Sequence, residues 1–135
     1  MIAADTSSLI DFLKGLRTAG VDEIRRALNS RVLWLPPPVK TELLSAPMAP
    51  PALSHLLDGA RLLPIRHGFW DRAGTTRRLL MSKGLKAKLA DTLIAQCCID
   101  ADVELIAADG DYLHFAHWCG LRLKPDAFSR NRWKR

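Results

Sequence analysis

Four carboxylates in this 135-residue chain are attached to segments that ought to be apolar. Asp5 follows Ile2, Ala3 and Ala4, which read as a buried strand, and three hydroxyl residues, Thr6, Ser7 and Ser8, stand behind it. Asp91 has Ala87, Ile94, Ala95 and Cys98 at helical spacing, so it projects from a face that should pack on a sheet. Glu42 has Pro38, Val39, Ser45 and Ala46 at the same spacings, with no cation among them. Asp109 ends an apolar run in the sequence Asp109-Gly110-Asp111. A carboxylate beside a core is costly unless a cation, a metal or a hydrogen-bond donor meets it.

Gathered without a cation, each pair of such acids about 5 Å apart repels by roughly 3 kcal/mol at an effective dielectric near ~20. Several pairs together exceed the margin by which a domain is stable. A divalent cation reverses that sign. Oxygen-only ligands suit Mg2+ or Mn2+, which retain waters and bind phosphates. An ion held in this way can activate a water and offset the charge that develops on a phosphodiester. Each acid also has a plainer reading: Asp91 as a surface partner of Lys88, Glu42 at a solvated edge, Asp109 in an Asx-turn, and Asp111 as a helix cap. His55, His67, His114 and His117 lack zinc-protease spacing, and the last two, beside Trp118, read as a packing face. Cys97, Cys98 and Cys119 form no C-x-x-C, which suits a reducing cytoplasm without structural zinc.

The elements that must position these acids follow from periodicity and punctuation. Strands are expected at 2–4, 32–35, 62–65, 104–108 and 121–123. Helices are expected at 8–14, 21–29, 38–45, from Pro50 and Pro51 to Leu57, and at 69–81, 86–100 and 112–118. Ser8 and Asp11 have capping-box spacing for the first helix. Strands alternating with helices imply a parallel sheet covered on both faces. Ligands in such sheets bind beyond the carboxyl ends of the strands, where Asp5 and Asp109 fall.

With 48% hydrophobic and 25% charged residues, the chain reads as one ordinary globular domain over 1–128 followed by a basic tail, 129–135. It shows neither a basic leader with an apolar stretch nor a run long enough to span a membrane. Of the net charge of +6, four units come from Arg130, Arg132, Lys134 and Arg135. A second basic stretch holds Arg72, Arg77, Arg78, Lys83, Lys86 and Lys88 with no acid among them. Polyanions are the natural partner of such surfaces, although solvated basic faces are also common.

In order along the chain stand D-T-S after the first strand, P-x-x-x-x-E-L (37–43), K-L-A-D-T-L-I-A (88–95) and L-I-A-A-D-G-D-Y (105–112). In this order and spacing the chain resembles PIN-domain ribonucleases, most of all the VapC toxins of bacterial toxin–antitoxin pairs. The resemblance covers essentially the whole chain. It implies a three-layer α/β/α fold with a central parallel sheet, and an Mg2+- or Mn2+-dependent endoribonuclease. By position it makes Asp5, Glu42, Asp91 and Asp109 the acidic quartet, with Asp5, Asp91 and Asp109 on the metal and Asp111 auxiliary. It gives the supporting hydroxyl to Ser7, or failing that to Thr6. It also implies a homodimer and a VapB-like antitoxin, for which the stretch 47–51 and the helix after it could offer an apolar groove. RNA contacts would then fall to Arg77, Arg78, Lys83, Lys86, Arg130, Arg132 and Trp133.

One departure stands out: Ala107 occupies a position where the family usually has Thr, Ser or Asn. An RNA-binding relative without catalysis is therefore one alternative. A phosphoacceptor receiver domain is another, since Leu123-Lys124-Pro125 mimics its lysine. Such a domain needs adjacent acids after the first strand, and Asp5 there stands alone.

Overall fold

The computed structural model describes residues 1–46 and 51–124, so the boundary expected at 128, the basic tail and most of the proline-rich stretch lie outside the described residues. The sheet consists of β1 (Ile2–Ala4), β2 (Leu33–Leu35), β3 (Arg61–Leu62), β4 (Glu104–Ile106) and β5 (Arg122–Leu123). Its order is β3-β2-β1-β4-β5, with every neighbouring pair parallel. The inner strands bury Ala3, Ala4, Leu33, Leu35, Leu105 and Ile106, as strands covered on both faces must. The edge strands instead expose Arg61 and Arg122, which discourages pairing with another chain.

The helices are α1 (Thr6–Leu13), α2 (Ala19–Asn29), α3 (Pro37–Ser45), α4 (Pro51–Gly59), α5 (Phe69–Ser82), α6 (Leu89–Ala101) and α7 (Tyr112–Cys119). Crossovers between parallel strands are right-handed as a rule, and with this strand order the rule assigns α1 to α4 to one face and α5 to α7 to the other, consistent with the expected three layers. α1 packs on α2, while α6 packs on α5, α7 and the sheet. α2 shows why: Val21, Ile24 and Ala27 are buried, and Asp22, Arg25 and Arg26 face water. α5 and α6 are also tied by polar contacts. Arg72 donates to both carboxylate oxygens of Asp100 at 3.1 and 2.6 Å, Gln96 donates to Asp100 at 2.9 Å, and Thr76 donates to Gln96 at 2.6 Å.

Several boundaries differ from expectation, each for a local reason. α1 starts at Thr6 rather than residue 8, because the Asp5 carboxylate accepts the Ser8 amide and supplies the cap that sequence spacing gave to Ser8. α2 starts at Ala19 because Thr18 caps the Val21 amide at 3.0 Å. β3 stops at Leu62, and after Leu63 donates to Leu35 the ladder meets Pro64, which has no amide hydrogen. α6 starts at Leu89, since Lys88 is extended and the Arg77 guanidinium holds the Ala87 carbonyl at 2.8 Å. β4 ends at Ile106 and β5 begins at Arg122, each shorter than its apolar run. No helix among the described residues is long and apolar enough to cross a membrane.

This topology creates one crevice. The chain winds outward from β1 through β2 to β3, then returns to β4 on the other side of β1. The loops leaving β1 and β4 therefore part company at their carboxyl ends, which is where ligands bind in such sheets.

Candidate active site

Ala4 and Ile106 are register partners, and the Asp5 amide donates to the Ile106 carbonyl at 3.0 Å. Asp5 is thus fixed at the crevice by the sheet itself. It is 2% exposed, and its carboxylate accepts the Ser8 amide at 3.0 Å, with the Ser8 side chain also bonding to it. Burial pushes its pKa up to about 6; the Ser8 hydrogen bonds oppose this, and the charges of Asp91 and Asp109 reinforce it.

Asp91 lies in the first turn of α6. The surface pair with Lys88 does not form among the described residues; instead the Tyr112 hydroxyl donates to Asp91 Oδ1 at 3.3 Å. Asp91 Oδ2 is buried and has no hydrogen-bond partner. Burial and then the neighbouring Asp109 raise the Asp91 pKa, against the smaller pull of Tyr112 and Lys88. A buried carboxylate oxygen with no donor is expensive, and a proton or a cation at this atom relieves that cost.

The loop after β4 brings two more acids. Asp109 Oδ1 accepts the Asp111 amide at 2.9 Å, so its Asx-turn role and its place in the cluster coexist. Asp111 occupies the N-cap position of α7 but makes no side-chain capping bond. Its carboxylate turns instead toward Lys86, whose Nζ lies 3.6 Å away. Asp91, Asp109 and Asp111 each offer a carboxylate oxygen within 4.8 Å of the others. Three oxygen donors, one with an unpartnered buried atom, fit a hard divalent cation such as Mg2+ or Mn2+.

Glu42 does not belong to that three-acid group. It is exposed on α3 and accepts the Thr6 hydroxyl at 2.5 Å, which ties α3 to the N-terminus of α1 directly beside Asp5. Ser7 is exposed, so the hydroxyl that meets an acid here is that of Thr6. Ala107, where the family usually carries a polar side chain, is fully buried in the core.

The basic residues separate by partner. Arg77 is half-buried against the Ala87 carbonyl, and Lys83 stacks over the Trp118 ring at 3.8 Å. Lys86 faces Asp111, and Arg78 is exposed. Arg130, Arg132 and Trp133 lie outside the described residues. His117 packs its ring edge-on against Trp118 at 4.6 Å, and this contact lies at the surface. Cys97 and Cys98 are buried free thiols; burial pushes Cys97 up to about 12 and Cys98 higher, which leaves both inert.

Sequence reasoning missed Tyr112, which is 1% exposed and carries the only described donor to Asp91. Its position three residues after Asp109, at the start of a helix, was the available signal.

The model of the PIN domain matches residues 2–117. The chain belongs to the PIN-domain family. No curated protein sequence matches it. Among solved structures, this PIN domain is similar to a chain of VapBC2 from Rickettsia felis bound to a fragment of promoter DNA. That pair has a TM-score of 0.69 and 16% identity, over 92% of this chain and 98% of the other. It is also similar to a chain of FitAcB from Neisseria gonorrhoeae, with a TM-score of 0.67, 17% identity, and 91% and 96% covered. DNA-bound VapBC from Salmonella typhimurium gives a TM-score of 0.66 and 16% identity, with 92% and 98% covered. At these identities the likeness speaks for the fold.

Proposed function

We propose that this PIN domain is a metal-dependent endoribonuclease and the toxin of a type II toxin–antitoxin pair. The observation that carries the reading is the carboxylate group of Asp91, Asp109 and Asp111, in which Asp91 also has a buried oxygen, Oδ2, without a hydrogen-bond partner. Asp91, Asp109 and Asp111, with Asp5 behind them, would hold Mg2+ or Mn2+. When bound, the ion supplies an acidified water and a counter-charge for the phosphodiester. Asp5 adds negative potential from beneath the cluster and fixes the first turn of α1 through Ser8. Glu42, held by Thr6 at the rim, is the exposed carboxylate able to accept a proton from the attacking water. The basic residues Arg78 and Lys83, and the tail with Arg130, Arg132 and Trp133, would track the RNA backbone, with Trp133 stacking on a base.

An antitoxin partner is supported by the neighbours, which are VapBC and FitAcB complexes. We read this chain likewise as held inactive by a VapB-like protein, as a homodimer, in the cytoplasm. The basic tail is read as an appendage to the PIN domain beginning at 129.

The reading is tested by incubating antitoxin-free protein with total RNA in Mg2+, Mn2+ or chelator, and mapping new ends. Discrete metal-dependent ends that vanish in Asp91→Asn are expected. Salt-sensitive RNA binding without cleavage in any metal would favour the binding-only alternative that Ala107 raises.

A further inference from the structure

Lys86 is a surface lysine whose backbone is pinned on both sides. Before it, the Leu85 amide donates to the Leu80 carbonyl at the end of α5 at 3.0 Å. After it, the Ala87 carbonyl accepts the Arg77 guanidinium at 2.8 Å, and Ala87 itself is buried. The next carbonyl, of Lys88, accepts both the amide and the hydroxyl of Thr92 at 2.9 and 2.8 Å. These bonds fix the backbone from which the Lys86 side chain departs. The side chain reaches the acid cluster, with Nζ 3.6 Å from Asp111 Oδ2. The side chain is 60% exposed, against 23% for Asp111, so one end of the pair faces solvent and the other faces Asp91 and Asp109.

We propose that Lys86 is an exchangeable counter-ion of the site: it neutralises Asp111 while the cluster holds no metal, and it passes to an RNA phosphate once a divalent cation takes Asp111. This rests on the nuclease reading of the same cluster. The reasoning is electrostatic. An ammonium beside one ligand opposes an incoming divalent cation, and a lysine near the surface keeps its charge whichever anion it meets. Its long flexible stem reaches from a fixed backbone to either partner. A phosphate arriving at the cluster is the anion that replaces Asp111. Lys86 is thus a positioning residue for the substrate and a brake on metal entry.

The two halves of the proposal predict opposite effects of one substitution. In Lys86→Met, Mn2+ should bind tighter, on the order of fivefold, because a like charge has been removed from beside the ion. In the same variant, binding of a non-cleavable single-stranded RNA in Mg2+ should weaken. The slope of log affinity against log salt should drop by about 0.7, one phosphate contact. Lys86→Arg should restore both. Damage to the fold weakens metal binding and cannot tighten it, so the direction separates the roles. Isothermal titration with MnCl2 alone gives the first readout and fluorescence anisotropy of the RNA gives the second. Wild-type protein that takes up no Mn2+ overturns the nuclease reading and this proposal with it. Normal wild-type uptake with unchanged or weaker uptake in Lys86→Met overturns this proposal alone, as does an unchanged salt slope.

Discussion

The Tyr112 hydroxyl donates to one oxygen of Asp91 and leaves the other buried without a partner. The phenol orients the carboxylate without satisfying it. A charged group arranged in this way costs stability in the protein alone, and the metal proposed for this site would offset that cost. Replacing Asp91 with Asn should therefore abolish cleavage while leaving the metal-free protein as stable as the wild type or more so. Thermal melts in chelator and in Mn2+ check this. A ligand at one hundred times its dissociation constant adds about 2.7 kcal/mol. The wild type should show such an upward shift, and Asp91→Asn should not.

Asp5 makes the metal-free fold sensitive to acid in an unusual direction. Burial pushes its pKa up to about 6 in the folded chain, from an ordinary 3.8. The folded state therefore binds more protons than the unfolded state between those values, and stability falls as pH rises through the window. The full effect is about 3 kcal/mol, of which about 1 kcal/mol lies between pH 5 and pH 7.5. Urea denaturation in chelator should show the protein gaining from Asp5 at pH 5. Asp5→Asn keeps a capping side chain and should flatten that part of the profile. An equally steep profile in the variant would show that Asp5 titrates normally.

Thr6 rather than Ser7 should control Glu42. Thr6→Val removes the hydroxyl that Glu42 accepts and leaves the exposed carboxylate unanchored. Turnover should fall roughly tenfold, equivalent to about 1.4 kcal/mol of barrier. Stability should change by less than about 1 kcal/mol, as for a solvent-accessible hydrogen bond. Thr6→Ser should retain activity, and Ser7→Ala should behave as the wild type. Loss of activity in Ser7→Ala with none in Thr6→Val would reverse the assignment.

The tail holds four of the six net charges and one aromatic residue. Truncation after Phe128 should lower the salt slope of RNA binding by up to about 3, at about 0.7 per phosphate on a single strand. Metal affinity should not change. Identical slopes in the full and shortened chains would make the tail a solubilising end only.

What the sequence revealed was whatever is encoded locally. An acid placed straight after an apolar strand needs no partner list to stand out, so Asp5 and Asp109 were visible, and with them the edge of the sheet that carries the site. Contacts between distant segments were not visible. The Thr6–Glu42 bond joins residues 36 apart and the Tyr112–Asp91 bond residues 21 apart, and neither has a local signature. The basic stretch was misleading for the same reason. Counting charges showed six cations without acids, but Arg72 is matched to Asp100 on the next helix and Arg77 to a backbone carbonyl. The start of α1 went astray because one side chain, Asp5, both caps a helix and faces the crevice.

The backbone contacts that hold the acids have a consequence for control. Asp5 is tied to the strand beside it, Asp109 to the turn that follows it, and Asp91 to the first turn of a helix packed on the sheet. None of these attachments is a hinge. Under the nuclease reading proposed above, the described residues would hold the acids in their working arrangement before any ligand arrives. On that reading, restraint would come from another molecule laid across the crevice. Activity would then follow the fraction of chains left uncovered, rising in proportion as the covering molecule is removed and with no lag for rearrangement.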